Sequence, residues 1–422
     1  MVFDETGESG EFYTLTADRM SGTGSIFFNA DMSNGEINDK VFVKKADGDI
    51  DLKIDIRNSS LAKSMEYGKD YLFMTISDIE NSRVTVSSFD GKNYLDMGPV
   101  RVQIEEKNGN VIVSTPDYFR KESLSDLSNA VVSEYSARVT MLKNQTSLLK
   151  DSMSDMAPGY FQEGASYIGN YSSSKYESDK FREYEQRIIT HGFTYETVEE
   201  QKTGHTLYDG KAFIYGKSNI AYDGDYSGKI ENYSLHSYSK LYNDNGYFVK
   251  RVFGVNYLDG SINSGDYESY AGNVGTGFGM DRDLKYMKLT TGVDLTLYYL
   301  PKTSYTLEDR HNDEYRVTSN KEIIFEINPE VRAETEFWLS KLRVNTYGTL
   351  SYEFNKYLLN NAPKMDIHDI STTSGVAERG TVTKIGTDIK IENIGVGLEL
   401  KYFSGAESSE KVTGTVKASY KF

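Results

Sequence analysis

Residues 411–422 read KVTGTVKASYKF, and taken in twos they separate into two faces. Val412, Gly414, Val416, Ala418, Tyr420 and Phe422 fall on one side of an extended strand, and Lys411, Thr413, Thr415, Lys417, Ser419 and Lys421 on the other. Side chains alternate across a strand, so one face is oily and the other wet. Termini usually fray and are polar. A strand that carries its alternation through to an aromatic last residue therefore needs a physical reason.

Composition narrows the reasons. The chain has 422 residues, 33 Tyr and 20 Phe against a single Trp, and a formal charge of -16. That charge argues against binding a phosphate backbone, which needs clustered Lys and Arg, so no nucleic-acid partner is expected. Cysteine is absent, which removes disulfides and thiolate metal sites. No run approaches the ~18 apolar residues of a transmembrane helix. A transmembrane barrel escapes that test, because its apolar residues occupy alternate positions and its average stays hydrophilic.

Three textures follow one another. Residues 1–118 are short strand-like runs such as GSIFFNADM, DKVFVKKADGDIDLKIDIRN and SRVTVSSFDG, broken by Gly, Asn and Asp. Their spacing suits stacked rungs of a β-solenoid or a small sandwich. Over 121–156 the period changes. Leu124, Leu127, Val131, Tyr135, Arg138, Leu142, Leu149, Met153 and Met156 lie on one face of a helix, with Ser123 as its expected cap and Pro158 as its stop. From Gly164 the chain turns to long strands. Ile394, Val396, Leu398, Leu400 and Tyr402 alternate with Gly395, Gly397, Glu399 and Lys401, and Val293, Leu295, Leu297 and Tyr299 with Gly292, Asp294, Thr296 and Tyr298. Twelve strands are expected, starting near 164, 185, 209, 230, 246, 270, 285, 318, 338, 377, 393 and 410.

These strands run to ~10–14 residues where soluble ones average ~5–6, and ~9–11 tilted residues cross a bilayer. Tight turns alternate with longer connections, and Tyr222, Tyr233, Tyr247, Tyr257, Tyr299, Tyr352, Tyr402 and Tyr420 lie near strand ends, where interface girdles sit. In lipid every backbone group must be paired, so the sheet must close and the last strand must meet the first. A chain ending in full register then loses nothing, and Phe422 is expected at the interface, facing lipid. The fold expected from these residues is all-β: a transmembrane 12-stranded antiparallel β-barrel, preceded by one α-helix and a region of short strands.

At residues 189–257 the sequence resembles the front of the translocator barrel of monomeric autotransporters (type V secretion). The likeness lies in a Gly-bearing strand, in YDGDYSGK (222–229) and in a Tyr-rich strand leading to DNGYFV (244–249). The closing VKASYKF (416–422) is similar to that family's last strand. SIFFNADMSNGEINDKVFVKKADGDIDLKIDIRN (25–58) and DMGPVRVQIEEKNGNVIVSTP (96–116) resemble the end of a β-helical passenger.

The resemblance implies a passenger end over 1–118, a linker helix through the pore over 119–158 and a barrel over 159–422, in the outer membrane of a Gram-negative cell with the passenger at its surface. It implies outer-membrane lipid and lipopolysaccharide, the barrel-assembly machinery and periplasmic chaperones as partners, with the barrel monomeric. Val416, Ala418, Tyr420 and Phe422 become the assembly signal. The family's intralumenal cleavage at an Asn-Asn pair is not expected, since Asn360-Asn361 falls outside the helix. With no export signal in MVFDETGESGEFYTL and so short a passenger, an upstream coding region is expected.

Within the pore, the helix residues Leu127, Val131, Glu134, Arg138, Leu142, Lys143 and Lys150 are expected to face the lumen wall. Asp294, Arg343, Lys384, Asp388, Glu399 and Lys417, each alternating with an apolar face, are the candidate partners. The five histidines show no metal-ligand spacing, and GTGFG (275–279) has no helix after it, so its three glycines read as a lumen face rather than a phosphate loop. No catalytic motif appears, and no enzyme activity, metal or cofactor is expected. The competing reading is a secreted or surface β-rich binding protein, adhesin-like, without a membrane barrel.

Overall fold

The computed structural model describes residues 12–31, 37–57, 68–115, 121–158, 163–201, 204–263, 265–309, 312, 314–359, 361–365, 368–369, 379–405 and 408–421. They divide into two compact units. One is built from Met1–Asn129, Glu308–Val317 and Lys364–Thr372, the other from Ala130–Leu307, Thr318–Pro363 and Thr373–Phe422.

The first unit contains β1 (Thr14–Asp31), β2 (Ile37–Asn38), β3 (Lys40–Arg57), β4 (Asp70–Asp78), β5 (Val84–Ser88), β6 (Tyr94–Met97), β7 (Val100–Lys107) and β8 (Asn110–Ser114). β1 pairs in parallel with β3, and β3 in parallel with β4 and β5. The ladder then changes hand: β4–β8, β8–β7 and β7–β6 are antiparallel. The register between β1 and β3 shifts between Met20 and Gly22. Gly22 and Gly48 hold φ near +81° and +87° there, a conformation in which a Cβ would be strained. Alternate residues Ile50, Leu52, Ile54 and Ile56 are buried against Phe28, Phe73, Ile76 and Val113. Each such side chain contributes roughly 1.5–3 kcal/mol by leaving water.

The second unit is a closed barrel. Its strands are β9 (Gly164–Tyr176), β10 (Tyr184–Gln201), β11 (His205–Tyr222), β12 (Ser227–Asn243), β13 (Tyr247–Ile262), β14 (Gly265–Asp283), β15 (Lys288–Leu300), β18 (Glu322–Leu339), β19 (Leu342–Tyr357), β22 (Arg379–Ile391), β23 (Ile394–Gly405) and β24 (Ser408–Lys421). In sequence the shorter β16 (Thr303–Glu308) and β17 (Glu314–Ser319) come between β15 and β18, and β20 (Lys364–Met365) and β21 (His368–Asp369) between β19 and β22; these four form a sheet of their own. β24 closes on β9 with Val412 opposite Ser173 and Lys421 opposite Gly164. Residues 411–421 are thus the seam of the wall. Every expected strand is present, with starts displaced by a few residues; Phe422 lies outside the described residues.

Both ends of the barrel chain lie at the end carrying the tight turns 244–246, 284–287, 340–341 and 392–393. The long connections 301–321 and 358–378 lie at the opposite end. At 244–246 the turn is closed by Gly246, at φ near +88°, whose N–H donates to the Asn243 carbonyl at 2.9 Å.

Alternation in this wall is inverted. Buried positions are polar, as with Ser172, Gln186, Thr190, Asn232 and Ser234, while Phe193, Leu235 and Leu398 are 54–60% exposed. A soluble binding protein would bury the apolar face, so the outward face is built for lipid. Tyr215, Tyr233, Tyr257 and Tyr270 stand in one cross-strand row on that face, ring centroids 5.1, 6.3 and 5.4 Å apart. Of the tyrosines expected near strand ends, Tyr222 departs from the pattern: it is buried and inward.

The helix α1 (Asp126–Ser154) has 29 residues, about 44 Å at ~1.5 Å per residue. Its cap is Ser125 rather than Ser123, which lies in a 3-10 turn (Lys121–Ser123). Ser125 Oγ accepts the N–H of Ser128 at 3.1 Å. The expected single apolar face is also corrected, since α1 is buried on almost every side.

Candidate functional site: the filled pore

Ion pairs and hydrogen bonds run from α1 to strands all round the barrel, which only a lumenal helix can do. Toward its start, Glu134 and Arg138 form an ion pair at 3.0 Å with their side chains 0% and 1% exposed. The Tyr267 hydroxyl donates to Glu134. Arg138 donates to Ser319 Oγ at 3.1 Å and lies 4.8 Å from the Tyr267 ring centre. Tyr184 donates to Ser136 at 3.0 Å, and Gln186 to the Ala137 carbonyl at 3.1 Å. These contacts sit at the long-connection end of β10, β14 and their neighbours.

At mid-height, Asn232 and Ser234 on β12 both donate to Gln145 Oε1, at 2.9 and 2.8 Å. Asn144 donates to Asn170 on β9 at 3.3 Å and accepts from Thr190 on β10 at 3.1 Å. Lys143 is 3.6 Å from both Glu326 and Glu353, and Lys150 is 2.9 Å from Glu326. The wall approaches closely at Gly216, where an added Cβ would run into the Met141 methyl carbon. Near the tight-turn end, Lys384 pairs with Asp151, and Lys417 and Arg332 flank Asp155 at 2.8 and 3.4 Å. Leu149, Met153 and Met156 pack on Tyr208, Ile214, Tyr238 and Phe248.

Of the helix residues singled out in the sequence, Leu127, Val131, Glu134, Arg138, Leu142, Lys143 and Lys150 are all buried. Among the candidate partners, Lys384 and Lys417 reach the helix segment, through Asp151 and Asp155. The others are held by the wall itself: Asp294 by Lys250 at 3.8 Å, Arg343 by Glu336 at 2.6 Å and Glu399 by Tyr347 at 2.9 Å, while Asp388 lines a cavity with Asp155 and Lys390. The partners of Lys143 and Lys150, Glu326 and Glu353, were not anticipated. For Glu326 the signal was present: Glu322, Glu326, Glu330 and Glu334 share one face of β18 by their even spacing. Gly275, Gly277 and Gly279 do face inward, leaving room for Val252, Asp294 and Phe248. On β24, Val416, Ala418 and Tyr420 are exposed on the outer face.

The arrangement is a plug. An ion pair removed from water is costly to break, since losing one partner leaves an uncompensated charge worth about 3–5 kcal/mol. The helix is thereby locked to the wall at several heights.

Comparison with known proteins agrees with this geometry. The β-domain of the Bordetella autotransporter Brka is similar in fold, with a TM-score of 0.52 at 15% identity over 62% of this chain and 100% of that one. The translocator domain of the autotransporter NalP from Neisseria meningitidis gives a TM-score of 0.50 at 13% identity, over 68% of this chain and 99% of that one. No curated protein matches. The family model described as the autotransporter beta-domain matches residues 165–402, more than half of the sequence, and the chain belongs to that family.

Proposed function

We infer that this chain inserts in the outer membrane as a translocator and exports and anchors at the cell surface the segment preceding its barrel. The observation that carries this is the threaded helix. Glu134 and Arg138 lie toward the long-connection end and Asp155 toward the end where β9 starts and β24 finishes. The chain before the helix therefore leaves the barrel at the end opposite its own strand termini. With an even number of strands both termini are periplasmic, and the exit is outside the cell.

On this reading residues 1–118 are the end of a β-solenoid passenger, supported by the parallel pairing of β1 with β3 and of β3 with β4 and β5. Residues 119–158 are the linker and 159–422 the barrel. The passenger's own activity is not a property of the barrel. The lipid-facing residues of β24, namely Val416, Ala418 and Tyr420, together with the final residue of the sequence, Phe422, carry the signal read by the barrel-assembly machinery, with periplasmic chaperones protecting open strand edges before closure.

One cell experiment tests both parts. The chain is expressed behind an export signal, and protease is added to intact cells. The N-terminal unit should be removed and a barrel-sized, heat-modifiable fragment should remain; complete protection would sink the export reading. In the same cells Tyr420→Asp should lower the amount of inserted barrel, whereas Ser419→Ala, on the lumen face, should not. Equal loss in both would remove the signal from the outer face of β24.

A further inference from the structure

The tight turns of the barrel are of two kinds. The β12–β13 turn is polar: Asp244, Asn245 and Gly246. The β14–β15 turn instead shows Leu284, Tyr286 and Met287, and the β18–β19 tip shows Phe337, Leu339 and Leu342, each 36–76% exposed. Thr335 Oγ1 on β18 donates to the Tyr286 carbonyl at 2.6 Å, so the two apolar turns are joined in one ledge. An apolar patch of this kind is unfavourable in water and marks a surface that something covers.

The ladder fixes the height of the ledge. A row of cross-strand partners that starts at Tyr247 on β13 passes Met280, Thr291 and Val331, and returns round the barrel to β13 at Ser261. From 247 to 261 it has climbed 14 residues toward the long-connection end in 12 strands, a little over one residue per strand. Three strands on, at Val331, the row stands about 3.5 residues above Tyr247, so the level of Tyr247 meets β18 between Glu334 and Thr335. At ~3.3 Å per residue and a tilt near 40°, Phe337 lies about 6 Å and Leu339 about 11 Å below Tyr247. Asn245, two residues before Tyr247, lies about 5 Å below it. Phe337 and Asn245 are therefore nearly level, one apolar and one polar.

Continuity and charge show what covers the ledge. The outward positions of β18, from Ile323 through Val331 and Phe337 to Leu339, carry no charge. The lipid-facing strip thus runs into the ledge without a break. Arg282, Lys285 and Lys341 are exposed beside it, against one carboxylate, Asp283. Lys285 Nζ lies 4.9 Å from the Tyr286 ring centre. Aromatic rings and lysines at the edge of an apolar strip suit the headgroup layer, where the ammonium meets phosphate. We propose that the 284–287 turn and the 337–342 tip form a foot seated in the periplasmic leaflet, with Phe337, Leu339 and Leu342 among acyl chains and Lys285 and Lys341 at phospholipid phosphates. This seating presupposes the outer-membrane insertion inferred above. Lipid then reaches lower on this side than at β12–β13. The bilayer meets such a mismatch by local thickening or by tilt, so the foot sets the depth and lean of the barrel.

Trp338 is the single tryptophan of the chain, so Trp338→Phe leaves none. Phe337→Trp or Asn245→Trp in that background then reports one position on each side. Full chains are taken from outer membranes into phosphatidylcholine–phosphatidylglycerol vesicles, with or without bromine on the acyl chains. Tryptophan at the membrane interface meets bromine that tryptophan in water does not, so Phe337→Trp should be quenched about three-fold more than Asn245→Trp. Aqueous acrylamide should give the reverse order. Equal quenching at the two sites would mean a level lipid edge and overturn the proposal. Phe337→Trp open to acrylamide and untouched by bromine would overturn it as well, and leave the ledge to a protein partner. Heat-modifiability is read on the same samples. Chains that never form a closed barrel would count against the membrane reading itself, and a closed barrel with a water-exposed Phe337→Trp against the foot alone.

Discussion

The two units follow the same rule of two and use it in opposite senses. In β3 the buried alternates are Ile50, Leu52, Ile54 and Ile56, while Asp51, Lys53 and Asp55 turn away from that core. In β12 the buried alternates are Asn232, Ser234, His236 and Lys240, and Tyr233 and Leu235 face out. Periodicity makes a strand; it does not say which face goes in. That is decided by the surroundings. Water around the first unit favours an oily centre, whereas lipid around the barrel takes the oily face outward and leaves the polar face to be satisfied inside. The satisfaction comes from α1, whose Asn144, Gln145, Lys143 and Lys150 meet groups on the wall.

The same chemical change should therefore have unequal effects in the two units. Ile54→Asp puts an unpaired carboxylate in an apolar core and should cost more than about 4 kcal/mol. We expect the first unit to lose resistance to limited proteolysis while the barrel keeps its heat-modifiable migration. Leu398→Asp places a carboxylate against lipid and should cost less than the roughly 2–4 kcal/mol of a midplane Lys or Arg, lowering the temperature at which fast migration is lost. If Ile54→Asp leaves the first unit resistant, the inversion described above is wrong.

Inside the barrel the contrast sharpens at Arg138. Arg138→Ala leaves Glu134 buried without its cation, at a cost of about 3–5 kcal/mol. The barrel's loss of fast migration should move to lower temperature, and single-channel conductance in planar bilayers should rise as the helix loosens. The double change Glu134→Gln with Arg138→Met removes both charges at similar volume and should recover most of the loss. A double variant no better than Arg138→Ala would mean that the pair is not what holds this part of the helix.

Most of the architecture was legible. Alternation over residues such as Ile394 to Tyr402 found strands, and the period change near residue 121 found the helix. The lumen was less so. A one-sided apolar stripe was read into α1, because Leu127, Val131, Leu142 and Leu149 recur at helical spacing. A plug inside a polar wall has no solvent face, so Ser128, Asn129, Ser133 and Gln145 are buried as well. Partner choice was the least legible part. Lys143 finds Glu326 and Glu353 on β18 and β19, strands whose height against the helix depends on the stagger of the closed barrel. No local pattern encodes that stagger.

The smallest effect tests the one part of α1 that belongs to the first unit. Ser125 Oγ accepts the Ser128 N–H at 3.1 Å, and Arg101, held by Asp96 at 2.8 Å, reaches Asp126 at 2.5 Å. The helix start is thus fixed, within the first unit, by a cap and a short ionic chain. Ser125→Ala should cost ~1 kcal/mol, about a five-fold change in a local equilibrium. Amide exchange at Ser128 should quicken by that factor, Ser125→Asp should restore protection, and the barrel's heat-modifiability should not move. If Ser125→Ala instead shifts the barrel transition as far as Arg138→Ala does, the helix start and the pore melt together. The two regions would then share one cooperative transition despite their opposite polarities, because a defect at the cap could not relax without unseating the buried pair at Glu134 and Arg138.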